Sequence, residues 1–402
     1  MAPVRAASDP GRARAWLTRC VCRGLAALAR TPATSSEIAA QEQARFFYLL
    51  HLALEMPDTW AAVRRALETW LPRLRRAMDE PTWLHLLEAL CERAHVREDR
   101  AMEAMVCLHL GTFYRVQGHY ARAEAVYRRA LHLFGLLQDP LGQAQAQALR
   151  AYLAWQQRTF GRARRLLGQA AAHRRAVQDE TPRSLDAQAY IHLVQGALAF
   201  DRQEWDTART HMDRAYRLWR RMGDLRMAGV ALSNLALVLH WSEQDLEEAH
   251  RCYQEAIRLL DEPRARVDWA TALMNFGLLL RRQGQVDQAL VCYRRAEKIF
   301  LQAQDRLRLA RLYNNIGQAH QALERWDEAE QAYRASLEQW EQGPHRVNRA
   351  NTLINLARAL KAQGKKAEMA ALVPVVETLL QELERDPAVE LLRSAWQELR
   401  SG

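Results

Sequence analysis

Lysine is almost missing from this chain. Four lysines, at positions 298, 361, 365 and 366, stand beside 53 arginines among 402 residues. Glycine (17) and proline (12) are sparse, and no Val/Ile-rich alternation argues for a strand, which excludes a sheet-based fold. No apolar run approaches the ~20 residues that a membrane helix needs. The six cysteines form no Cys-x-x-Cys pair and no histidines fall at metal-ligand spacing, so they read as small buried hydrophobes in a reducing compartment. Cys20-Val21-Cys22 is the weak exception, a candidate for redox or metal chemistry. There is no phosphate loop, no nucleophile elbow, no His-Glu-x-x-His and no dinucleotide fingerprint. Paired carboxylates such as Glu247-Glu248 and Asp327-Glu328 fall at helix starts, where the helix dipole favours them without a catalytic role. These absences describe an all-α chain that is not an enzyme and holds no cofactor or metal.

What is present is a period. Met274-Asn275-Phe276-Gly277-Leu278-Leu279-Leu280, followed by Gly284, Ala289, Tyr293 and Ala296, reads as two antiparallel helices. Six further copies align with it. Their small residues are Gly111, Ala151, Gly196, Ala236, Gly277, Gly317 and Ala357, spaced 40, 45, 40, 41, 40 and 40 apart. The second helices carry Ala123/Tyr127/Ala130, Ala163/Leu167/Ala170, Ala208/Met212/Ala215, Ala249/Tyr253/Ala256, Ala289/Tyr293/Ala296, Ala329/Tyr333/Ser336 and Met369/Val373/Val376. A small residue is expected where the two helices of one copy cross closely, and a large one where the second helix meets the next copy.

The first copy, with Leu110-Gly111, Tyr114, Gly118, Tyr120, Ala123, Tyr127 and Ala130, resembles the tetratricopeptide repeat family. The common unit of that family is 34 residues; the longer step here is similar to the repeats of STAND-class bacterial regulators, Rap-type peptide-sensing regulators, kinesin light chains and paired Leu-Gly-Asn adaptors. The resemblance covers about residues 101 to 376. It implies an α-solenoid, a right-handed superhelix of antiparallel helix pairs closed by helical caps, and a protein or peptide partner. The family's carboxylate clamp, which needs Lys and Arg at set positions of three consecutive units, is not matched.

Along the chain, residues 1–35 read as a basic arm with one short amphipathic helix whose apolar face is Trp16, Leu17, Val21, Leu25 and Leu28. It either packs back on the solenoid or docks on a partner. Asp9-Pro10-Gly11 and Thr31-Pro32 are turn signals around it. The arm's Arg, Ser and Ala content makes a transit peptide the rival to a cytoplasmic, bacterial protein. Residues 36–100 read as a divergent helical cap. A capping box at Thr34 and Glu37 opens its first helix, Asp58 can cap the second, Pro72 should kink or stop it, and Glu80-Pro81 opens a third with Trp83, Leu84, Leu87 and Leu90 inward. Seven repeats span 101–376. The five extra residues around 179–183 form a longer turn, a candidate mobile spot. Residues 377–402 form the C-terminal cap, after Pro374 interrupts Leu372 to Leu380 and Asp386-Pro387 breaks the chain before a helix with Leu391, Leu392 and Trp396.

Two candidate sites follow. The net charge of +10 is concentrated in residues 1–35 (+5) and 141–178 (+7, seven Arg and no acid). In the second repeat Arg158 takes the turn position, and Arg162, Arg164, Arg165, Arg174 and Arg175 lie on its second helix, with Tyr152 and Trp155 on the first. Such a ridge could hold phosphate, nucleic acid or an acidic protein segment, or be a solvated face. The other site is a row of amides two residues before the small residue: Asn234, Asn275, Asn315 and Asn355. The resemblance implies that this position faces the groove, where an amide offers a donor and an acceptor to an extended peptide. The alternative is that each Asn bonds the preceding repeat and staples the stack. Arg311, Asn314 and Gln318, and Asn351 and Arg358, surround the row, whereas copies two and three offer Tyr152, Trp155, Tyr190 and Phe200. The expected ligand is a protein or peptide segment, acidic at one end and apolar at the other; nucleic acid is the second possibility, and no membrane is involved.

Overall fold

The computed structural model describes residues 10–30, 40–74, 81–177, 180–243, 245–261, 265–340, 345–383 and 389–401. The chain divides into two compact units, Met1–Arg202 with Arg214–Leu225, and Gln203–Asp213 with Arg226–Gly402. Among the described residues the secondary structure is helical, and no helix is long and apolar enough to cross a membrane.

In the first unit, α1 (Pro10–Ala29), α2 (Ala40–Leu54), α3 (Trp60–Leu74) and α4 (Pro81–Val96) precede the repeats. α1 packs on α2 and α3. Its Val21, Leu25 and Leu28 are buried, and the indole of Trp70 donates to the Leu28 carbonyl (3.0 Å) while stacking on Phe46 (4.3 Å). The N-terminal helix therefore folds back. Its apolar face is narrower than the sequence suggests, because Trp16 is 62% exposed and Leu17 also faces solvent. Asp58 lies inside a 3-10 turn, Pro57–Thr59, and α3 continues two residues past Pro72. Trp83, Leu87 and Leu90 of α4 are buried and Leu84 is half-buried. The capping box at Thr34 and Glu37, Thr31-Pro32, Asp179 of the long turn and Asp386-Pro387 lie outside the described residues.

The repeats run in order as α5 (Arg100–Val116) with α6 (Tyr120–Leu136), α7 (Pro140–Gln156) with α8 (Phe160–Arg175), α9 (Pro182–Phe200) and α10 (Trp205–Arg221), then α11 (Leu225–Ser242) and α12 (Leu246–Leu259), α13 (Arg266–Arg282) with α14 (Val286–Gln302), α15 (Arg306–Ala322) with α16 (Trp326–Trp340), and α17 (Arg346–Ala362) with α18 (Lys366–Glu382). α19 (Val389–Ser401) follows. Helix starts are fixed by side chains that accept from the orphan N–H groups of the first turn: Asp99, Asp139, Thr181, Asp245 and Asp305 cap α5, α7, α9, α12 and α15. The turns inside the repeats share one device. Seven residues after each small residue, Gly118, Arg158, Gln203, Glu243, Gly284, Glu324 and Gly364 adopt positive φ, from 57° to 79°. This left-handed residue lets the next N–H reach back five residues, as in Gln285 to Leu280 (2.9 Å) and Arg325 to His320 (2.9 Å), satisfying carbonyls that the helix leaves unpaired. Glycine is not required, and Arg158 accepts the strained conformation.

The small residue stands where the two helices of one pair cross closely. A Cβ placed on Gly111, Gly277 or Gly317 would lie 2.4 to 2.5 Å from the ring of Tyr127, Tyr293 or Tyr333. The tyrosine of the second helix fills the crossing of its own pair and, in the second unit, also shares a core with the next one, Tyr293 with Leu309 and Leu312 and Tyr333 with Leu356 and Leu360. All three rings are fully buried, each burial contributing roughly 1.5–3 kcal/mol. In the second unit one core joins α13, α14 and α15 through Leu273, Tyr293, Phe300 and Leu312. Another joins α17, α18 and α19 through Leu353, Val376, Leu380 and Trp396. α18 runs through Pro374 without ending, and Leu391 is 77% exposed, so the apolar side of α19 is Val389, Leu392, Trp396 and Leu399.

Candidate partner-binding face

The asparagine row does not act as one set. Asn355 is buried, donates to Asn314 Oδ1 of the preceding pair (3.2 Å) and accepts from Arg358 (3.3 Å). It joins α17 to α15, as a staple would, but through a side chain instead of a carbonyl. Asn234, Asn275 and Asn315 are half-buried and make no side-chain hydrogen bond among the described residues.

First helices of three successive pairs in the second unit meet at a cleft of about 440 Å³. α13 contributes Arg281, α15 contributes Gln318 and Gln321, α17 contributes Asn355 and Arg358, the turn into α16 adds Glu324, and α16 opens on Trp326. Gln318, Asn355 and Arg358 were expected on this face; Arg281, Gln321 and Trp326 were not. A periodic signal does mark two of the missed residues. Arg115, Trp155, Phe200, His240, Arg281, Gln321 and Lys361 all stand four positions after the small residue, the register of Trp155 and Phe200, which the sequence reading selected. In three pairs this residue approaches the buried tyrosine of its own pair. Gln321 accepts from the Tyr333 hydroxyl (2.9 Å). Burial raises the phenols of Tyr127 and Tyr293, and the cations of Arg115 and Arg281 beside them oppose that rise. Arg281 Nε is nevertheless buried without an acceptor among the described residues. Of the remaining predicted residues, Arg311 is exposed and Asn351 half-buried, and neither lines the cleft.

In the first unit the aromatic residues separate by burial. Tyr152 and Trp155 are half-buried and stacked (5.6 Å, 14° between planes). The guanidinium of Arg115 covers Tyr152 at 4.8 Å, and the Trp155 indole donates to Asp201 (2.5 Å). Phe200 is half-buried. Tyr190 is 4% exposed and packs edge-on against Trp219 (5.3 Å), so it belongs to the core and offers no surface. The arginines of α8 separate as well. Arg162 joins Arg150 on Glu124, and Arg174 folds onto the Val177 carbonyl at the end of its own helix. Arg175 donates to the Ala171 carbonyl, and Arg158 lies over Phe160 (5.2 Å). Arg158, Arg164, Arg165 and Arg175 are exposed and make no ion pair among the described residues.

Two features outside these surfaces had no sequence signal. Cys91 of α4 and Cys107 of α5 are buried with their sulfurs 3.4 Å apart. The hydrogen bond from Cys107 lowers the Cys91 thiol, while the same bond and burial raise Cys107. Cys20 is exposed and Cys22 half-buried; both are free thiols. Among the described residues no group of His, Cys, Asp or Glu could hold a metal ion. The second feature is Glu330, which receives hydrogen bonds from Arg334, Gln363 and Lys365. Burial alone would raise its carboxyl; the three donors outweigh it and hold the group at about 2.

Comparison with known proteins places the chain. A search of curated proteins gives no match. Among solved structures it is similar to a Rap protein complexed with Competence and Sporulation Factor, at 16% identity over 88% of this chain and 99% of that one (TM-score 0.53). It is similar to aspartyl phosphate phosphatase F from Bacillus subtilis, at 14% identity over 95% and 96% (TM-score 0.51). It is also similar to a signal-transduction ATPase of the STAND class with a tetratricopeptide repeat sensor from Pyrococcus horikoshii, at 14% identity over 97% of this chain and 56% of that one (TM-score 0.59). At these identities the likeness is one of fold. Residues 187–262, 268–342 and 308–368 match a tetratricopeptide repeat family, and residues 104–134 match another of the same description. Together they cover more than half of the sequence, and with the helix pairs and the glycine–tyrosine crossings they support one conclusion: the chain belongs to the tetratricopeptide repeat family.

Proposed function

We propose that this protein is a non-enzymatic scaffold or regulatory adaptor that binds an extended segment of a partner protein on the face built by the first helices of its repeats. The observation that carries the reading is the second unit's polar face. Asn275 and Asn315 stand at equivalent positions with unused amides, and α13, α15 and α17 converge on one cleft. Amides spaced one repeat apart suit an extended chain, whose own N–H and C=O groups are unpaired. The similar Rap structure is a complex with Competence and Sporulation Factor, which supports a bound partner for a repeat fold of this kind. The test begins by cross-linking partners in native lysate, identifying one and purifying it. The double variant Asn275→Ala with Asn315→Ala should then bind it at least tenfold more weakly, about 1.4 kcal/mol, with helicity and melting unchanged. Loss of stability in step with loss of binding would make these residues inter-repeat staples and overturn the reading.

A second reading rests on Arg164, Arg165 and Arg175, exposed without acid partners. They could engage nucleic acid, in which case affinity must fall steeply with salt as counterions are released. A flat salt dependence between 50 and 200 mM, on the order of the range where such losses are large, removes it.

A further inference from the structure

The last helix before the repeats and the first helix of the repeats meet at two sulfurs. α4 and α5 pack on each other and are joined by a tight turn, in which Glu98 takes positive φ (54°) and the Asp99 N–H returns to the Ala94 carbonyl (2.9 Å). Asp99 fixes that turn further, accepting from the Met102 N–H (3.1 Å) and from the Trp60 indole of α3 (3.0 Å). Cys91 lies eight residues before Asp99 and Cys107 eight residues after it, so the turn brings them to one level of the helix pair. Their sulfurs are 3.4 Å apart, about 1.4 Å more than a bonded pair. The two thiols are unequal. The hydrogen bond to Cys107 outweighs burial and, with the Arg129 cation, holds Cys91 below the ordinary thiol value against the opposing charge of Glu103, while the same bond and burial push Cys107 up. Burial also raises Cys22, Cys252 and Cys292. Cys91 is the member of the pair that reaches the surface, 8% exposed against 0% for Cys107. Since the thiolate is the form that attacks an oxidant, Cys91 is the reacting sulfur and Cys107 the one that closes the bond.

We infer that Cys91 and Cys107 are a site of reversible oxidation, at which a hydroperoxide converts the touching thiols to a disulfide that locks α4 to α5. The Cys91 thiolate attacks one oxygen of the O–O bond, which breaks. Cys91 becomes a sulfenic acid, and the other oxygen leaves with the former thiol proton, as water when the oxidant is hydrogen peroxide. The Cys107 sulfur then attacks the Cys91 sulfur, the S–O bond breaks, and the hydroxyl departs as a second water with the Cys107 proton. Two thiols thus give up two electrons and two protons, and one peroxide becomes two waters. A thiol reductant reverses the bond by exchange. The narrow exposure of Cys91 selects a small oxidant over a bulky disulfide. The bond closes the loop of residues 92–106 and so removes chain freedom from states in which the two helices part. It does not depend on what the repeats bind.

The test takes the full chain, reduced and then exposed to hydrogen peroxide in native buffer. At intervals the remaining thiols are alkylated under denaturing conditions, and unreduced digests are read by mass spectrometry. A peptide pair joined through Cys91 and Cys107, lighter by two hydrogens than the reduced pair and separated again by dithiothreitol, should form about tenfold or more faster than Cys252 or Cys292 oxidises, as an activated thiol differs from inert buried ones. Once the link is made, amide exchange in α4 and α5 should slow about tenfold, because the helices no longer part, while α13 and α14 exchange as before. Cys107→Ser should leave Cys91 as a sulfenic acid that dimedone captures, and Cys91→Ser should leave Cys107 a free thiol. The unsubstituted chain carries the decisive readout, so a variant that fails to fold leaves the test intact. Absence of the link at peroxide doses that oxidise the exposed Cys20 overturns the site. So does a link that forms only after denaturation, or one that joins either sulfur to another cysteine. A link that leaves exchange in α4 and α5 unchanged overturns the lock.

Discussion

A single hydrogen atom on three glycines sets how closely the helices of a pair approach. At Gly317 a methyl group would overlap the Tyr333 ring at 2.4 Å, and the ring cannot swing away because it is fully buried. Gly317→Ala should therefore destabilise by about 1–3 kcal/mol, the usual cost of overpacking, read as a lower midpoint in urea with an unchanged slope. An exposed alanine substitution at Gly161, where a Cβ meets nothing within 4 Å, should instead be neutral or slightly stabilising, since glycine is the poorer helix former by about 1 kcal/mol. The contrast separates a packing requirement from helix propensity. At the same scale the asparagine row shows why one residue type at one register can serve two purposes. Asn355 has the Asn314 Oδ1 acceptor at 3.2 Å, and Asn275 makes no side-chain hydrogen bond among the described residues.

Between elements, the junction of α16 with α18 depends on one buried carboxylate. Glu330 is 8% exposed and gathers Arg334 from its own helix, Gln363 from the preceding turn and Lys365 from the start of α18; Arg334 reaches on to Glu368 (2.6 Å). Removing the carboxylate takes a shared acceptor from Gln363, Lys365 and Arg334, of which Arg334 keeps Glu368 and both cations remain partly open to water. Glu330→Ala is expected to cost about 1 kcal/mol, the scale for hydrogen bonds and ion pairs whose cations stay partly in water. Hydrogen exchange should locate the loss in α16 to α18, with α13 and α14 less affected. Uniform loss across the second unit would show that Glu330 acts on global stability instead of this junction.

For the chain as a whole, acid should act in two windows. His240 is buried near Arg282 and Arg281, and burial first, then these charges, lower it from 6.5 to about 4. Between these values the unfolded chain binds the proton and the folded one does not, so stability falls as pH drops from 6.5 toward 4, with a limiting slope of about 1.4 kcal/mol per pH unit for one proton. Glu330, held at about 2 against 4.5, contributes stability that is present above 4.5 and lost as pH falls through about 2. Denaturant midpoints measured across pH 3 to 7, on the order of the range these groups span, should flatten between 6.5 and 4 in His240→Gln. A curve unchanged by that substitution would mean that His240 does not titrate differently on folding.

The sequence by itself determined the repeat, the pairing of helices and the family, because those depend on local patterns. A small residue every 40 to 45 positions and a large one, tyrosine in four of the seven copies, in the following helix are chosen by the geometry of one crossing, and that geometry recurs. It also marked the amide row and the first-helix face as the place to look. It did not say that Tyr190 is sealed by Trp219, that Arg162 belongs to Glu124, or that Pro374 leaves α18 continuous. Nor did it bring Arg281 to the same cleft as Arg358, or Cys91 to Cys107. Those outcomes depend on which rotamer each side chain takes and how far one helix pair turns relative to the next. Period and composition do not encode either quantity; packing between elements distant in sequence decides both.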